Sequence, residues 1–136
     1  YILDLIDWEA NLNPNLKDAH FLPHKIDKSG DAWVDKWVIY GRSRGEDVFS
    51  AKELTVQPGA KVTIQDAGAC AVIAVQGRGK IGPHPIESPV YIRFGQETLD
   101  EYFVTYEVAR RGFTVENTGT EPLVLLRHLG PDGQNA

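Results

Sequence analysis

At 136 residues, 42% of them apolar and 24% charged, the chain has the size and composition of one globular domain, which excludes a fibrous or disordered polymer. Its formal charge of -5, with Lys and Arg scattered rather than clustered, excludes a surface that tracks nucleic-acid phosphates. No stretch has the length of a membrane span and the start lacks a signal-like pattern, so no membrane partner and a cytoplasmic location are expected.

Residues 1–31 carry Asn11, Asn13, Pro14, Asn15, Pro23 and Gly30, which break any long period, and they read as an irregular arm with a short helical turn near residues 8–12. The absence of methionine and the start at Tyr1 leave room for a partner domain beyond this sequence. From Ala32 the period becomes two residues, with Trp33, Trp37 and Ile39 on one face and Val34, Val38 and Tyr40 on the other. Both faces are apolar, so this strand is expected to be buried on two sides. Further strands are predicted over residues 48–56, 61–65, 69–76, 90–94, 101–106, 113–117 and 123–128. Turn chemistry bounds them, as in Pro58-Gly59, Gly77 to Gly82 and Thr118-Gly119, and a second helical turn falls near residues 107–110. Short strands with Gly and Pro punctuation predict an all-β, antiparallel barrel over residues 32–129, followed by a flexible tail at 130–136. Cys70 lies inside an apolar run and reads as a buried hydrophobe, leaving no thiol for a disulfide or for nucleophilic catalysis.

Pro58-Gly59, Gly77, Gly79, Asn117 and Gly119, with the segments between them, resemble the two motifs of the cupin superfamily over roughly residues 48–129. The resemblance implies a double-stranded β-helix, or cupin jelly-roll barrel, whose relatives hold a divalent metal through three histidines and a carboxylate. Counted from Gly59, those positions fall at Gln65, Ala67 and Ala71 or Val72; counted back from Asn117, the last falls at Phe113. Only Gln65 could touch a metal, through a weak amide oxygen, so the resemblance implies a degenerate, metal-free cupin with no cofactor. The stretches Glu53-Leu54-Thr55-Val56-Gln57-Pro58-Gly59 and Glu121-Pro122-Leu123-Val124 are similar to cupin domains of the phosphomannose isomerase type, although the zinc motif of those enzymes is not visible.

If Gln65 points inward, Lys61, Thr63, Ala71, Ile73, Val75, Phe113 and Val115 share its direction and form a mostly apolar interior. The candidate ligand-binding residues are then Gln65, Arg93, Tyr91, Tyr106 and His128. An inward Arg93, beside Tyr91, would suit a carboxylate or phosphate, against the plainer reading of an exposed arginine. Of Arg127 and His128, one must face the barrel and the other outward. Tyr106 falls at the mouth. His20 and His24 flank Pro23 and read as loop histidines; folding of the arm over the barrel is the one route to a displaced metal site. Gly77-Arg78-Gly79-Lys80 lacks the spacing and following helix of a phosphate loop and reads as a hairpin turn.

These residues point to a metal-free module that binds a small polar or anionic ligand, such as a carbohydrate or organic anion, or that supports an assembly. The competing reading is a sugar-phosphate isomerase-like enzyme with a displaced metal. A homodimer or a partner cupin domain is expected, with the arm and the Trp33 to Tyr40 strand at the interface.

Overall fold

In the computed structural model, which describes residues 1–134, the chain folds into nine strands and three short helices. The strands are β1 (Lys25–Gly30), β2 (Trp33–Ser43), β3 (Glu46–Val56), β4 (Lys61–Ile64), β5 (Cys70–Ile81), β6 (His84–Ser88), β7 (Glu101–Val104), β8 (Phe113–Asn117) and β9 (Leu123–Leu129). The helices are α1 (Trp8–Asn11), α2 (Leu16–His20) and α3 (Tyr106–Arg111). All strand pairings are antiparallel, and the predicted all-β barrel is the architecture the chain adopts.

Two sheets share the long strand β5. Its first half pairs with β9 and β7, and β9 continues through β3 and β2 to the edge strand β1. Its second half pairs with β6 and β8, and β8 pairs with β4. Two glycines let β5 make this passage. At Gly77, φ is +84° and an added Cβ would lie 2.6 Å from the Pro122 carbonyl oxygen; at Gly79 it would lie 2.0 Å from that of Glu116. Between the sheets lies a core that includes Leu54, Val56, Val62, Ile64, Val72, Phe113, Val115, Leu123 and Leu125. Asn117 closes one end. Its side-chain amide donates to the carbonyls of Val56 and Glu121, both at 2.8 Å, and its oxygen accepts from the Gly119 N–H at 2.9 Å.

The β2–β3 hairpin turns through Arg44 and Gly45, with φ of 54° and 88°, the left-handed pair that a two-residue hairpin turn requires. The helical turns predicted near residues 8–12 and 107–110 are α1 and α3. α2 and β1 form within the segment read as an irregular arm, and β1 pairs with β2 from Lys25 opposite Trp37 to Gly30 opposite Trp33. The strand predicted over residues 90–94 does not form. Its alternating pattern finds no partner strand among the described residues, and the segment from Pro89 to Gly95 is exposed apart from a half-buried Val90. The edge strand there is β6, which Pro83 just before it and Pro85 within it disguise; proline is tolerated on an edge because no partner calls on its missing N–H. Of the predicted tail, Pro131–Gln134 form a 3₁₀ turn packed against β3 and β9, and residues 135–136 lie outside the described residues.

Candidate functional site

The inward-facing residues differ by one position from those expected on β4 and β5. Val62, Ile64 and Asp66 are buried, whereas Lys61, Thr63 and Gln65 face solvent. The physical reason is plain on β4: this register buries two branched aliphatics and leaves the lysine in water. On β5, Cys70, Val72 and Ala74 are buried while Ala71, Ile73 and Val75 are exposed. Reading back from the exposed Arg78 and Lys80 would place Ala71, Ile73 and Val75 inside, but a bulge between Ala74 and Gln76 reverses the alternation. Phe113 and Val115 do face the core, as expected.

The interior reached by this register is charged. Arg127 is 0% exposed and Lys52, directly opposite it on β3, is 1% exposed. Arg127 donates from one terminal nitrogen to Asp66 at 2.6 Å and from the other to Asp35 at 2.5 Å. Lys52 Nζ donates to Asp27 at 2.8 Å, lies 3.9 Å from Asp66 and sits 4.2 Å over the Trp37 ring. Trp37 in turn donates its indole N–H to Asp27 at 3.2 Å. The Cys70 thiol approaches the Asp66 carboxylate at 4.0 Å.

Two cations therefore face three carboxylates, and the cluster carries one excess negative charge when all five are ionised. Asp35 bears the consequence: burial raises its pKa above the ordinary value, and the charges of Arg127 and Lys52 only partly oppose that rise. Its second oxygen, Oδ1, and the Arg127 Nε are buried without a hydrogen-bond partner among the described residues. Asp27 behaves oppositely. Burial would raise it, but the hydrogen bond and charge of Lys52 outweigh burial and hold it below the usual range. Burial, reinforced by the Asp66 charge, pushes the Cys70 thiol up to about 12, so it stays protonated and inert as a nucleophile.

A raised folded-state pKa means that the contribution of Asp35 is fully present below its unfolded value of about 3.8 and is lost as pH rises through the folded value. Asp35→Asn removes this titration. The stability advantage of wild type over Asp35→Asn should fall as pH rises from about 3.8 toward neutrality. Thermal melts of both proteins across that range check the sign, and an advantage that grows with pH would show that the ion pair with Arg127 outweighs burial.

Asp66, itself buried, lies under the floor of a cleft of about 590 Å³ lined also by Lys28, Gln65, Ala67, Tyr106, Arg110 and Asp132. The loop after β4 is held against the C-terminal end of α3, where free helical carbonyls need donors. The Asp66 N–H donates to the Ala109 carbonyl at 3.1 Å and the Gln65 side-chain amide to that of Arg110 at 2.6 Å. Arg110 reaches back to the Tyr106 hydroxyl at 2.8 Å. The wall thus presents a guanidinium, a phenol and the ammonium of Lys28, with the carboxylate of Asp132 beside them and that of Asp66 buried beneath.

Of the five candidate residues, Gln65 and Tyr106 meet at this cleft. Tyr91, 95% exposed, and Arg93 lie on the segment 89–95, away from it. His128 points outward from β9, because its neighbour Arg127 takes the inward direction. Sequence reasoning missed Lys28, Asp35, Lys52, Asp66 and Arg110. The available signal was a charge flanked by apolar residues in strand register, as in Leu125-Leu126-Arg127. His20 and His24 are exposed, and among the described residues no three His, Cys, Asp or Glu side chains converge as a metal site. The divalent ion typical of cupin barrels does not fit the interior donor set, since Arg127 and Lys52 already stand between the carboxylates.

No protein-family model and no curated protein matches the chain. Solved structures do. A cupin from Shewanella frigidimarina, described as RmlC-like, aligns with a TM-score of 0.53 at 12% identity, covering 85% of this chain and 94% of that one. The fold is that of a cupin. A Klebsiella pneumoniae protein with a double-stranded β-helix domain gives 0.52 at 11% identity, over 79% of this chain and 84% of that one. A chain from the complex of Rhodobacter sphaeroides SigE with the anti-sigma ChrR gives 0.56 at 13% identity over 85% of this chain. The present chain spans 55% of the length of that protein. At these identities the likeness establishes the cupin fold alone. Among the described residues no helix is long and apolar enough to cross a membrane.

Proposed function

We propose that this cupin-fold domain binds a small hydroxylated organic acid in the cleft between α3 and β1, without a metal. The observation that carries the reading is the convergence of Arg110, Lys28 and Tyr106 above Asp66. The guanidinium fork of Arg110 suits the two oxygens of a carboxylate, and Lys28 adds a second positive charge. Asp132 accepts from ligand hydroxyls, and Tyr106 can either donate or accept. Arg127 and Lys52 brace Asp66 from below, so that the floor of the cleft is held in place before the ligand arrives. Arg127 and Lys52 stand between the buried carboxylates, an arrangement unsuited to a divalent ion, which is why binding rather than metal chemistry is the role put forward.

Titration calorimetry with gluconate, glucose 6-phosphate and neutral glucose tests this. The acids should bind and glucose should not, and Arg110→Ala should weaken binding by about tenfold or more, the loss expected for a charge-assisted bidentate contact. Absence of binding by either acid, or binding unaffected by Arg110→Ala, overturns the proposal.

A further inference from the structure

On the side of α3 turned away from Tyr106 and Arg110, the two sheets part. β7 pairs with the first half of β5 and β6 with the second, and among the described residues no pairing joins β7 to β6 or β8. The seam leaves a second cleft, of about 350 Å³, between the turn after β5, the strand β7 and α3. Small-molecule sites begin at about 300 Å³. α3 sends Val108 and Arg111 into this cleft and Tyr106 and Arg110 into the first, since two residues turn a helix by about 200°.

The floor of the second cleft is apolar. Ile81, Val104 and Phe113 keep 5%, 6% and 7% exposure there, whereas Val72 and Val115 in the closed part of the core have none. Val108 and the ring of Tyr102 form walls. The Tyr102 hydroxyl already donates to the Pro85 carbonyl, so the ring is what remains for a ligand. The His84 ring lies 6.1 Å from it, a second flat face on the same cleft. Charge is confined to one sign: Arg111 is exposed and in no ion pair among the described residues, and no Asp or Glu lines the cleft. Four other clefts of the described residues each include a carboxylate. On a chain of net charge -5, an uncompensated guanidinium over an apolar hollow selects an anion with an apolar body.

We infer that this second cleft binds a small aromatic monocarboxylic acid, with its ring against Val108 and Tyr102 and its carboxylate on Arg111. The guanidinium fork matches the two carboxylate oxygens, and flat rings at the wall favour an aromatic body over a branched chain. A polyhydroxy acid of the kind put forward for the first cleft does not suit this one. Its hydroxyls would lose water over Ile81, Val104 and Val108 with no lining carboxylate to accept from them.

Titration of the full chain with phenylacetate, followed through its backbone amide NMR signals, tests this. The amides of Gly82, Val104 and Val108 should shift and those of Ala67 and Asp132 should not, with a Kd of about 1 mM or tighter for so small a ligand. Benzyl alcohol, which lacks the carboxylate, and acetate, which lacks the ring, should each bind about tenfold more weakly. Arg111→Ala should cost phenylacetate about tenfold as well. Arg111 is exposed, and signals elsewhere that stay in place show that the variant is folded. No saturable shift up to about 10 mM overturns the inference. So does a shift centred on Ala67 and Asp132, which puts the acid in the first cleft, or an affinity that benzyl alcohol matches or that Arg111→Ala leaves unchanged. Neither gluconate nor glucose 6-phosphate enters this titration, so each cleft stands or falls without the other.

Discussion

Arg127→Met should destabilise the domain by about 3–5 kcal/mol, the range seen when one partner of a buried ion pair is removed. Methionine fills much of the same volume, so cavity formation is a minor part of the loss. The cost arises because Asp35 and Asp66, 2% exposed each, lose the guanidinium that donates to both. Lys52 cannot take over. It already donates to Asp27 and lies 3.9 Å from Asp66. Urea unfolding of the wild type and the variant measures the change, with an unchanged m-value confirming that the same surface is exposed. Adding Asp35→Asn and Asp66→Asn to Arg127→Met should recover a substantial part of the loss, because neutral amides cost less to bury than unpaired carboxylates. No recovery would mean that Arg127 acts by filling space rather than by matching charge.

Gly79→Ala should be as damaging, for a different reason. An added Cβ would lie 2.0 Å from the Glu116 carbonyl oxygen and 2.9 Å from a methyl of Leu123. The first is a backbone atom of β8, which pairs with β5 at Gly79 opposite Asn117, so relief requires separating the two strands. Overpacking ordinarily costs about 1–3 kcal/mol, and a clash with backbone belongs at or above the upper end. It would also displace Asn117, whose three side-chain hydrogen bonds tie β8 to the end of β3 and to the turn before β9. Thermal unfolding and amide exchange along β8 report the damage. A protein as stable as wild type would show that the passage of β5 between the sheets is softer than its contacts indicate. The charge cluster, carried by β1, β2, β3, β9 and the loop after β4, shares no residue with the glycine passage in the second half of β5, so losses from Arg127→Met and Gly79→Ala should add approximately.

Sequence by itself determined the class of fold. Glycines where β5 turns between sheets, Pro58-Gly59 before β4 and Asn117 at the end of β8 are local requirements of backbone angle and strand termination, and local requirements can be read from single residues. The extended state of β2, β3 and β9 follows equally from short apolar runs of two-residue period bounded by turn residues. Two kinds of information did not lie there. One is direction: the stretch from Ala69 to Val75 is apolar on both faces, and the bulge that decides which face is inside arises from pairing with β9. The other is long-range electrostatics. Arg127 meets Asp35 across 92 residues of sequence and Asp66 across 61, and Lys52 meets Asp27 across 25. No local pattern marks charges that are tolerable only in one another's company. Only the tertiary structure decided that they share the barrel interior, because the desolvation of each is offset by partners that different strands deliver to the same place.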